Sequence, residues 1–423
     1  MRLDFFDLAA LALLLVAVVG CVNERYGRLP RGIAVLTMAL ALSLALAALE
    51  WLGGVGAASV VRASMAQANL SYVFLEGVLA LLLFAGTLQV DLVGLRERKW
   101  MILGLSTFSV IVSTVVFGAG IWAISTVLGE AIPLAWCMVL GAILAPTDAV
   151  VVHSIMAHVP LPPRLRAAIA GESLFNDGAG VILFFVALAV AEGASAQLGQ
   201  GRVLRALLEA GIGGAAIGVG CGYVTGFAMG RVRDSAVRLT LSLALAFGCY
   251  RLAHLLEVSG PIAVVAAGLT LSTTRLCPAV TTLTGTIGPF WALLDEILNA
   301  VLFLLLGLQV LDLSVAAHDL PAMILAIPLA LLSRLCGIVL PTGLGAAGAH
   351  DVVRTSAVMV WSGLRGGVSV ALALTVPESN HRPALLAICY TVVVFTVLVQ
   401  GLTMRTVLRG IYGDKPPRGS PGA

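Results

Sequence analysis

Two carboxylates, an amide and a hydroxyl lie close together in a segment whose flanks are apolar enough for a membrane helix. This segment, residues 171–178, reads GESLFNDG. An ionised carboxylate near the bilayer centre costs at least about 2.5 kcal/mol, so residues of this kind usually face an aqueous cavity or a partner charge. Glu172 and Asp177 are therefore the first candidates to bind a transported ion or proton.

Two arginines also lie inside apolar runs. Arg334 stands in LLSRL at 331–335, and Arg365 stands in WSGLRGG at 361–367. Desolvation of a buried ion pair can offset its attraction, so stability alone is a poor reason to place arginines there. We interpret both as functional. The alternative is that the two side chains extend to a membrane interface, which their distance from the ends of the runs disfavours.

Two of the apolar runs contain residues that interrupt helices. Pro146, in APTDA at 145–149, cannot donate a backbone hydrogen bond and disfavours helix just before it. The glycines of GLRGG at 363–367 lower helix propensity in the same way. Free peptide groups in mid-membrane are tolerated only where they line a cavity or are buried in protein. Asp148 and Arg365 would then balance the exposed ends of half-helices, whereas an ordinary proline kink and a glycine packing surface would leave these charges unexplained.

The composition is that of a membrane protein, with 60% hydrophobic and 11% charged residues over 423 positions. The first run begins with acidic residues and lacks a convincing small-residue cleavage site, so we expect it to remain as a membrane helix. Cysteines and histidines are dispersed without metal-ligand spacing, and no cofactor is expected. Thirteen apolar runs are long enough to be candidate spans, at about 5–22, 31–52, 70–90, 101–128, 133–157, 167–191, 203–229, 237–256, 260–273, 287–311, 321–342, 352–377 and 384–408.

The distribution of basic residues predicts an orientation. Most of the 25 Lys and Arg residues lie in loops that follow odd-numbered runs, and cytoplasmic loops carry the excess of positive charge. The N-terminus should be outside and the C-terminus cytoplasmic. The net charge of +3 is explained by this asymmetry, and no basic patch or motif indicates nucleic-acid binding.

Two interrupted runs at corresponding positions of two halves indicate an inverted-repeat transporter with a site at the midplane. The predicted fold is an all-α polytopic membrane protein of about 13 transmembrane helices, with two inverted six-helix repeats and crossed discontinuous helices at spans 5 and 12. Residues 1–410 form the membrane domain, with repeats at about 5–192 and 237–410 and a connector helix at about 203–229. Residues 411–423, rich in Pro and Gly, are predicted to be a disordered cytoplasmic tail.

Together the motifs resemble the monovalent cation:proton antiporter family, specifically its bacterial NhaP-type members. The matching segments are APTDAV at 145–150, GESLFNDG at 171–178, LLLGL at 304–308 and WSGLRGGVSVAL at 361–372. They occur in order over essentially the whole chain. The resemblance implies a dimeric thirteen-helix exchanger of sodium, and by extension lithium, for protons in the bacterial inner membrane. It would be a transporter and not an enzyme.

The resemblance also assigns roles to the polar residues around 147 and 171–178. Asp177 would bind cation and proton in turn, and Ser173 and Thr147 would supply further oxygen ligands. Asn176 would orient the site. Because Asn176 stands where related electrogenic exchangers carry a second aspartate, we expect electroneutral exchange of one proton for one cation. Oxygen ligands suit sodium, which is a hard cation.

Four further charges have supporting roles by the same resemblance. Glu172 would pair with Arg334, while Asp148 and Arg365 would lie at the crossing of the broken helices. One departure from the family pattern is Ala85, where many members carry a glutamate, so a possible additional site carboxylate is missing.

Other classes of membrane protein fit less well. An intramembrane aspartyl protease would require Gly-x-Gly-Asp in a span, which the sequence lacks, and would not need two broken helices. A channel would be expected to show a pore-lining ring supplied by several subunits. Potassium/proton exchange on the same fold remains the alternative, since no motif reports pore size or the cost of dehydrating the cation.

Overall fold

The computed structural model describes residues 5–27, 29–52, 77–88, 104–130, 132–148, 163–193, 200–273, 287–312, 318–342 and 349–412. Within these ranges the regular elements are helices, and no strand occurs. The α-helices are α1 (Phe5–Val22), α2 (Arg31–Trp51), α3 (Leu79–Leu88), α4 (Ser109–Val127), α5 (Leu134–Leu144), α6 (Pro163–Ala191), α7 (Gln200–Arg231), α8 (Ser235–Leu255), α9 (Gly260–Thr273), α10 (Ile287–Gln309), α11 (Asp319–Thr342), α12 (Ala349–Trp361), α13 (Gly367–Leu374), α14 (Arg382–Phe395) and α15 (Gly401–Tyr412).

Nine helical segments in the described part of the chain are long and apolar enough to cross a membrane, and α3, α5 and α9 are shorter apolar helices. The predicted all-helical membrane fold is therefore confirmed. Each described helix coincides with a predicted apolar run, and the shortest run, 260–273, is helical over its whole length. The number of thirteen spans and the inverted repeats remain predictions. The last helix ends at Tyr412, two residues into the predicted tail, and the rest of that tail lies outside the described residues.

Close packing between helices fixes the position of α11. Gly337 of α11 lies against Ser109 and Ser113 of α4, so closely that a side-chain methyl group there would overlap both residues. The Ser113 hydroxyl also donates a hydrogen bond of 3.2 Å to the carbonyl oxygen of Ser333. Small residues allow helix backbones to approach closely in membranes. The helix that carries Arg334 is thereby held rigidly against α4.

A second tightly packed pair of helices is α2 and α10. Gly307 of α10 lies against Ala39 of α2, and the Ser43 hydroxyl donates a 2.7 Å hydrogen bond to the Gly307 carbonyl. Near the other end of this pair, Arg31 and Glu296 form a 2.8 Å ion pair. The beginnings of α2 and α10 therefore lie at the same end of the molecule.

Both predicted interruptions are present in the described residues. Helix α5 ends at Leu144, two residues before Pro146, as expected, and Ala145 after it still has helical torsion angles of φ −74° and ψ −42°. Residues 146–148 are not helical. Between α12 and α13, residues 363–366 are not helical either, and of these Gly366 is extended, with φ −112° and ψ −161°. The second half of the predicted fifth span lies outside the described residues.

Candidate cation site

The two interrupted segments contact each other directly. The backbone N–H of Asp148 donates a 2.8 Å hydrogen bond to the carbonyl of Leu364. The Arg365 guanidinium donates to the carbonyl oxygens of Ala145 at 2.7 Å and of Pro146 at 2.9 Å. The last carbonyls of a helix lack intrahelical partners and carry partial negative charge. Arg365 belongs to the second interrupted segment. It thus satisfies the carbonyls exposed where α5 ends, in the first interrupted segment.

Asp148 lies at the other half of this crossing. A methyl group added to Gly366 would overlap the Asp148 carboxylate, so the side chain of Asp148 sits against the residue that precedes α13. The first N–H groups of a helix carry partial positive charge, which favours a carboxylate there. Asp148 and Arg365 each contact the oppositely charged helix end contributed by the other segment.

Glu172 and Arg334 form a buried, two-pronged ion pair. One Glu172 oxygen contacts Arg334 Nη1, and the other accepts a 2.8 Å hydrogen bond from Nη2. The Nη2 group also lies 3.4 Å from the carbonyl of Met359, in the last turn of α12. The two residues are 2% and 3% exposed, respectively. Paired donors and acceptors of this kind are strong and geometrically specific, so the Glu172 charge is fully neutralised.

Ser173, Asn176 and Thr147 form a hydrogen-bonded group between α6 and the first break. The Ser173 hydroxyl donates to the Thr147 carbonyl at 2.6 Å, and the Asn176 amide donates to Thr147 Oγ1 at 2.7 Å. Residues three apart on a helix share one face, so both α6 side chains reach the same residue. Gly180, one turn further, packs against the Pro146 ring with no room for a larger side chain. The break is docked along this face of α6.

Asp177 differs from its neighbours because its carboxylate has no hydrogen bond or ion pair in the part of the chain that the structure describes. It is half-buried, and the charges of Asp148 and Asp295 act on it. The Asn176 Oδ1 atom nearby is buried and likewise without a hydrogen-bond partner there. Carboxylate, amide and hydroxyl oxygens in one place are ligands suited to a hard monovalent cation.

Comparison with known proteins shows the family to which the chain belongs. The family model described as sodium/hydrogen exchanger, transmembrane, matches residues 8–410. The chain belongs to the sodium/hydrogen exchanger family. The Na⁺/H⁺ antiporter NhaP of Pseudomonas aeruginosa is 36% identical over 426 residues, covering 99% of each chain. The Na⁺/H⁺ antiporter NhaH of Halobacillus dabanensis is 30% identical over 357 residues, covering 83% of this chain and 85% of the relative.

The fold of the exchanger is similar to that of a solved structure. The sodium proton antiporter MjNhaP1 from Methanocaldococcus jannaschii at pH 8 matches with a TM-score of 0.72 at 18% identity, covering 96% of this chain and 97% of the other. The NhaP-type membership predicted from the motifs is confirmed by the family model and by the Pseudomonas relative.

One charged residue near the exchanger's site was not singled out from the sequence. Asp295 lies on α10 and is only 6% exposed, and its charge acts on Asp177. Asp295 lies within the predicted span 287–311, which is apolar when averaged over its length. The criterion that identified Glu172, a carboxylate inside an apolar run, would have found Asp295 as well.

Ala85, the departure from the family pattern, is fully buried in apolar packing on α3.

The exchanger has one further group of side chains that lie close enough to share a metal ion, within the residues that the structure covers. The ligand atoms of Glu130, His318 and Asp319 lie within 4.8 Å of one another. His318 Nε2 is 3.3 Å from Glu130 and 3.7 Å from Asp319. His318 is mostly exposed, and the three residues join the end of α4 to the start of α11. We interpret them as a polar contact between helix ends.

Proposed function

We propose that this exchanger trades sodium for protons by alternating access, with cation and proton competing for Asp177. The observation that carries the proposal is the contrast within α6. The Glu172 carboxylate is held by Arg334, whereas the Asp177 carboxylate has no hydrogen bond or ion pair to the described residues, and the preceding Asn176 keeps an amide oxygen without a partner among them. The names of the Pseudomonas and Halobacillus relatives, both Na⁺/H⁺ antiporters, support sodium and protons as the exchanged ions.

Coupling follows from competition for a single charge. A proton or a sodium ion on Asp177 cancels its negative charge, so each loaded state presents a neutral carboxylate. The empty state keeps a carboxylate in a low-dielectric environment, where an uncompensated charge is costly. Reorientation of the empty site is therefore disfavoured, and each crossing carries one ion or the other. Ser173, Thr147 and Asn176 would supply the remaining oxygens around sodium.

The arrangement in the membrane is part of the same proposal. The protein would be a homodimer in the bacterial inner membrane, with its N-terminus outside and its C-terminus cytoplasmic, and would need no cofactor. The Arg31–Glu296 pair supports the assignment of the beginnings of α2 and α10 to one side. By the distribution of basic residues, that side is cytoplasmic.

The test is a comparison of cations in proteoliposomes under an imposed proton gradient. Sodium, lithium and potassium are added separately, and proton movement is followed with a pH-sensitive dye. The proposal expects responses to sodium and lithium and none to potassium. A response to potassium that equals or exceeds the response to sodium would support the potassium/proton alternative. Liposomes without protein supply the leak control.

A further inference from the structure

Helix α10 carries a buried polar pair that the exchange mechanism above does not use. The Asn299 amide donates hydrogen bonds to Asp295 Oδ1 at 3.1 Å and to the Asp295 carbonyl at 3.0 Å. Both residues are 6% exposed. Trp291, one turn before, and Leu302, one turn after, are buried on the same face. Two hydrogen-bonded polar side chains therefore interrupt an otherwise apolar buried stripe of this helix.

This stripe of α10 faces the crossing of the two interrupted segments. The side chain of Leu302 lies so close to Gly367 that a methyl group there would overlap it. The adjacent Gly366 is in contact with Asp148. Asp295 precedes Leu302 by two helical turns, or about 10 Å along the axis, and shares its face. The polar pair thus lies beside the crossing, displaced toward the beginning of α10.

The neighbouring residue fixes the end of the molecule toward which the pair is displaced. Glu296 is 42% exposed and pairs with Arg31, the first residue of α2. Asp295 points to the interior at the same level, and its charge acts on Asp177. Like charges in a low-dielectric interior repel each other, and a monovalent cation bound near Asp295 relieves that repulsion.

We propose that Asp295 and Asn299 form an entry site for the transported monovalent cation, on the Arg31 side of the crossing and ahead of Asp177. An amide that donates through its nitrogen keeps a carbonyl oxygen for the ion, so the pair offers carboxylate and amide oxygens together. The inference rests on the proposed exchange activity. By the orientation proposed above, the entry site serves cations that arrive from the cytoplasm.

The first test measures transport from each side separately. Everted and right-side-out vesicles, from a host strain without its own exchangers, present sodium to the cytoplasmic and outer faces. Asp295→Asn should raise the sodium KM about tenfold from the cytoplasmic face, change it by less than about threefold from the outer face through the charge at Asp177, and keep the maximal rate within about twofold. Asn299→Ala should act in the same direction with a smaller change, and Asp295→Glu should restore most of the affinity.

Glu296→Gln is the matched control, because it removes the same charge one residue away on the exposed face. An equal KM shift in Glu296→Gln, an equal shift from both faces, or no shift in Asp295→Asn would each overturn the entry site. Asn299→Ala tests the same point if Asp295→Asn fails to fold, since an unchanged cytoplasmic KM would contradict the proposal.

The second test does not depend on exchange. Sodium-23 NMR relaxation detects weak sodium binding to the purified protein in detergent. The Asp177→Asn variant should retain weak binding, and Asp177→Asn with Asp295→Asn should lose it. If the wild-type protein binds sodium at Asp295 but exchanges none, the proposed function fails and the site stands. If removal of Asp295 changes nothing in the Asp177→Asn protein, the entry site is wrong whatever the transport assay shows.

Discussion

Glu172 and Asp177 are two carboxylates on one helix, five residues apart, with opposite surroundings. Glu172 is 2% exposed and held at both oxygens by Arg334. Asp177 is half-buried, and its carboxylate has no hydrogen bond or ion pair to the residues the structure describes. The two carboxylates thus differ both in burial and in their partners, and the second difference bears on the transport role proposed for Asp177. The distinction is whether the negative charge already has a fixed partner.

Helix geometry explains how one segment supplies both environments. Successive residues of an α-helix are rotated by about 100°, so residues five apart point about 140° away from each other. Glu172 points toward α11 and Arg334, whereas Asp177 points toward the side where the charges of Asp148 and Asp295 are felt. A carboxylate at i and a second one at i+5 can therefore serve different partners across the same helix.

The largest effect is expected when the open carboxylate loses its charge. Asp177→Asn should reduce exchange of every cation at least about a hundredfold, because an amide neither takes up a proton nor balances a bound cation. Thermal stability in detergent should stay close to that of the wild type, since the substitution removes no hydrogen bond that the structure describes. Retained sodium/proton exchange in proteoliposomes would remove Asp177 from the central role.

Breaking the Glu172–Arg334 ion pair should lower the stability of the protein. Arg334→Ala strands the buried Glu172 carboxylate and should cost about 3–5 kcal/mol of unfolding free energy. Replacing both residues by neutral ones should cost less than Arg334→Ala alone. Denaturant unfolding of the two single variants and the double variant measures the coupling, with Arg354→Ala, an exposed arginine on α12, as the control. Additive losses would mean that the two residues do not stabilise each other.

The crossing of the two interrupted segments, on the Asp177 side of α6, should tolerate little added side-chain volume. Gly366→Ala places a methyl group against the Asp148 carboxylate, and overpacking of this kind costs about 1–3 kcal/mol. Exchange should fall about tenfold while the Glu172–Arg334 pair stays intact. Gly248→Ala on α8 is the control, because no atom lies within 4 Å of the added group. Equal activity of the two variants would show that the close approach at Gly366 is unimportant.

A smaller effect is expected from one oxygen ligand. Ser173→Ala removes a hydroxyl that donates to the Thr147 carbonyl and should raise the sodium KM about three- to tenfold, with a stability loss of about 1 kcal/mol. The control is Ser272→Ala, where the hydroxyl donates to a carbonyl within its own helix. An unchanged KM in Ser173→Ala would exclude Ser173 as a ligand.

The sequence predicted the helices and both interruptions because each depends on local chemistry. Apolar runs fix the spans, while Pro146 and the glycines around Arg365 interrupt them. It predicted that Arg365 would balance an exposed half-helix end, but not that the carbonyls would be those of Ala145 and Pro146, because that contact depends on how two distant segments cross. Asp295 was missed for a different reason, since averaging over a long apolar run conceals a single charge.

The difference between the two carboxylates also determines how exchange should respond to voltage. Under the proposed mechanism, with Glu172 neutralised by Arg334 and a neutral amide at Asn176, the exchangeable negative charge is that of Asp177. A proton or a sodium ion cancels it, so both loaded states cross with the same net charge. Asp295 leaves this balance unchanged as long as it keeps the same protonation state in both crossings.

The smallest expected effect is therefore that of the membrane potential, which should neither drive nor oppose exchange. A potential of 100 mV acts with about 2.3 kcal/mol on each net elementary charge that moves, so an electrogenic cycle would change rate steeply. Proteoliposomes clamped with potassium and valinomycin, once potassium is shown not to be transported, allow sodium-dependent proton flux to be measured at several potentials. A flux that scales with potential would mean that a second carboxylate carries a proton. Repeating the measurement in Asp295→Asn would then show whether that carboxylate is Asp295, because removing it would abolish the voltage dependence.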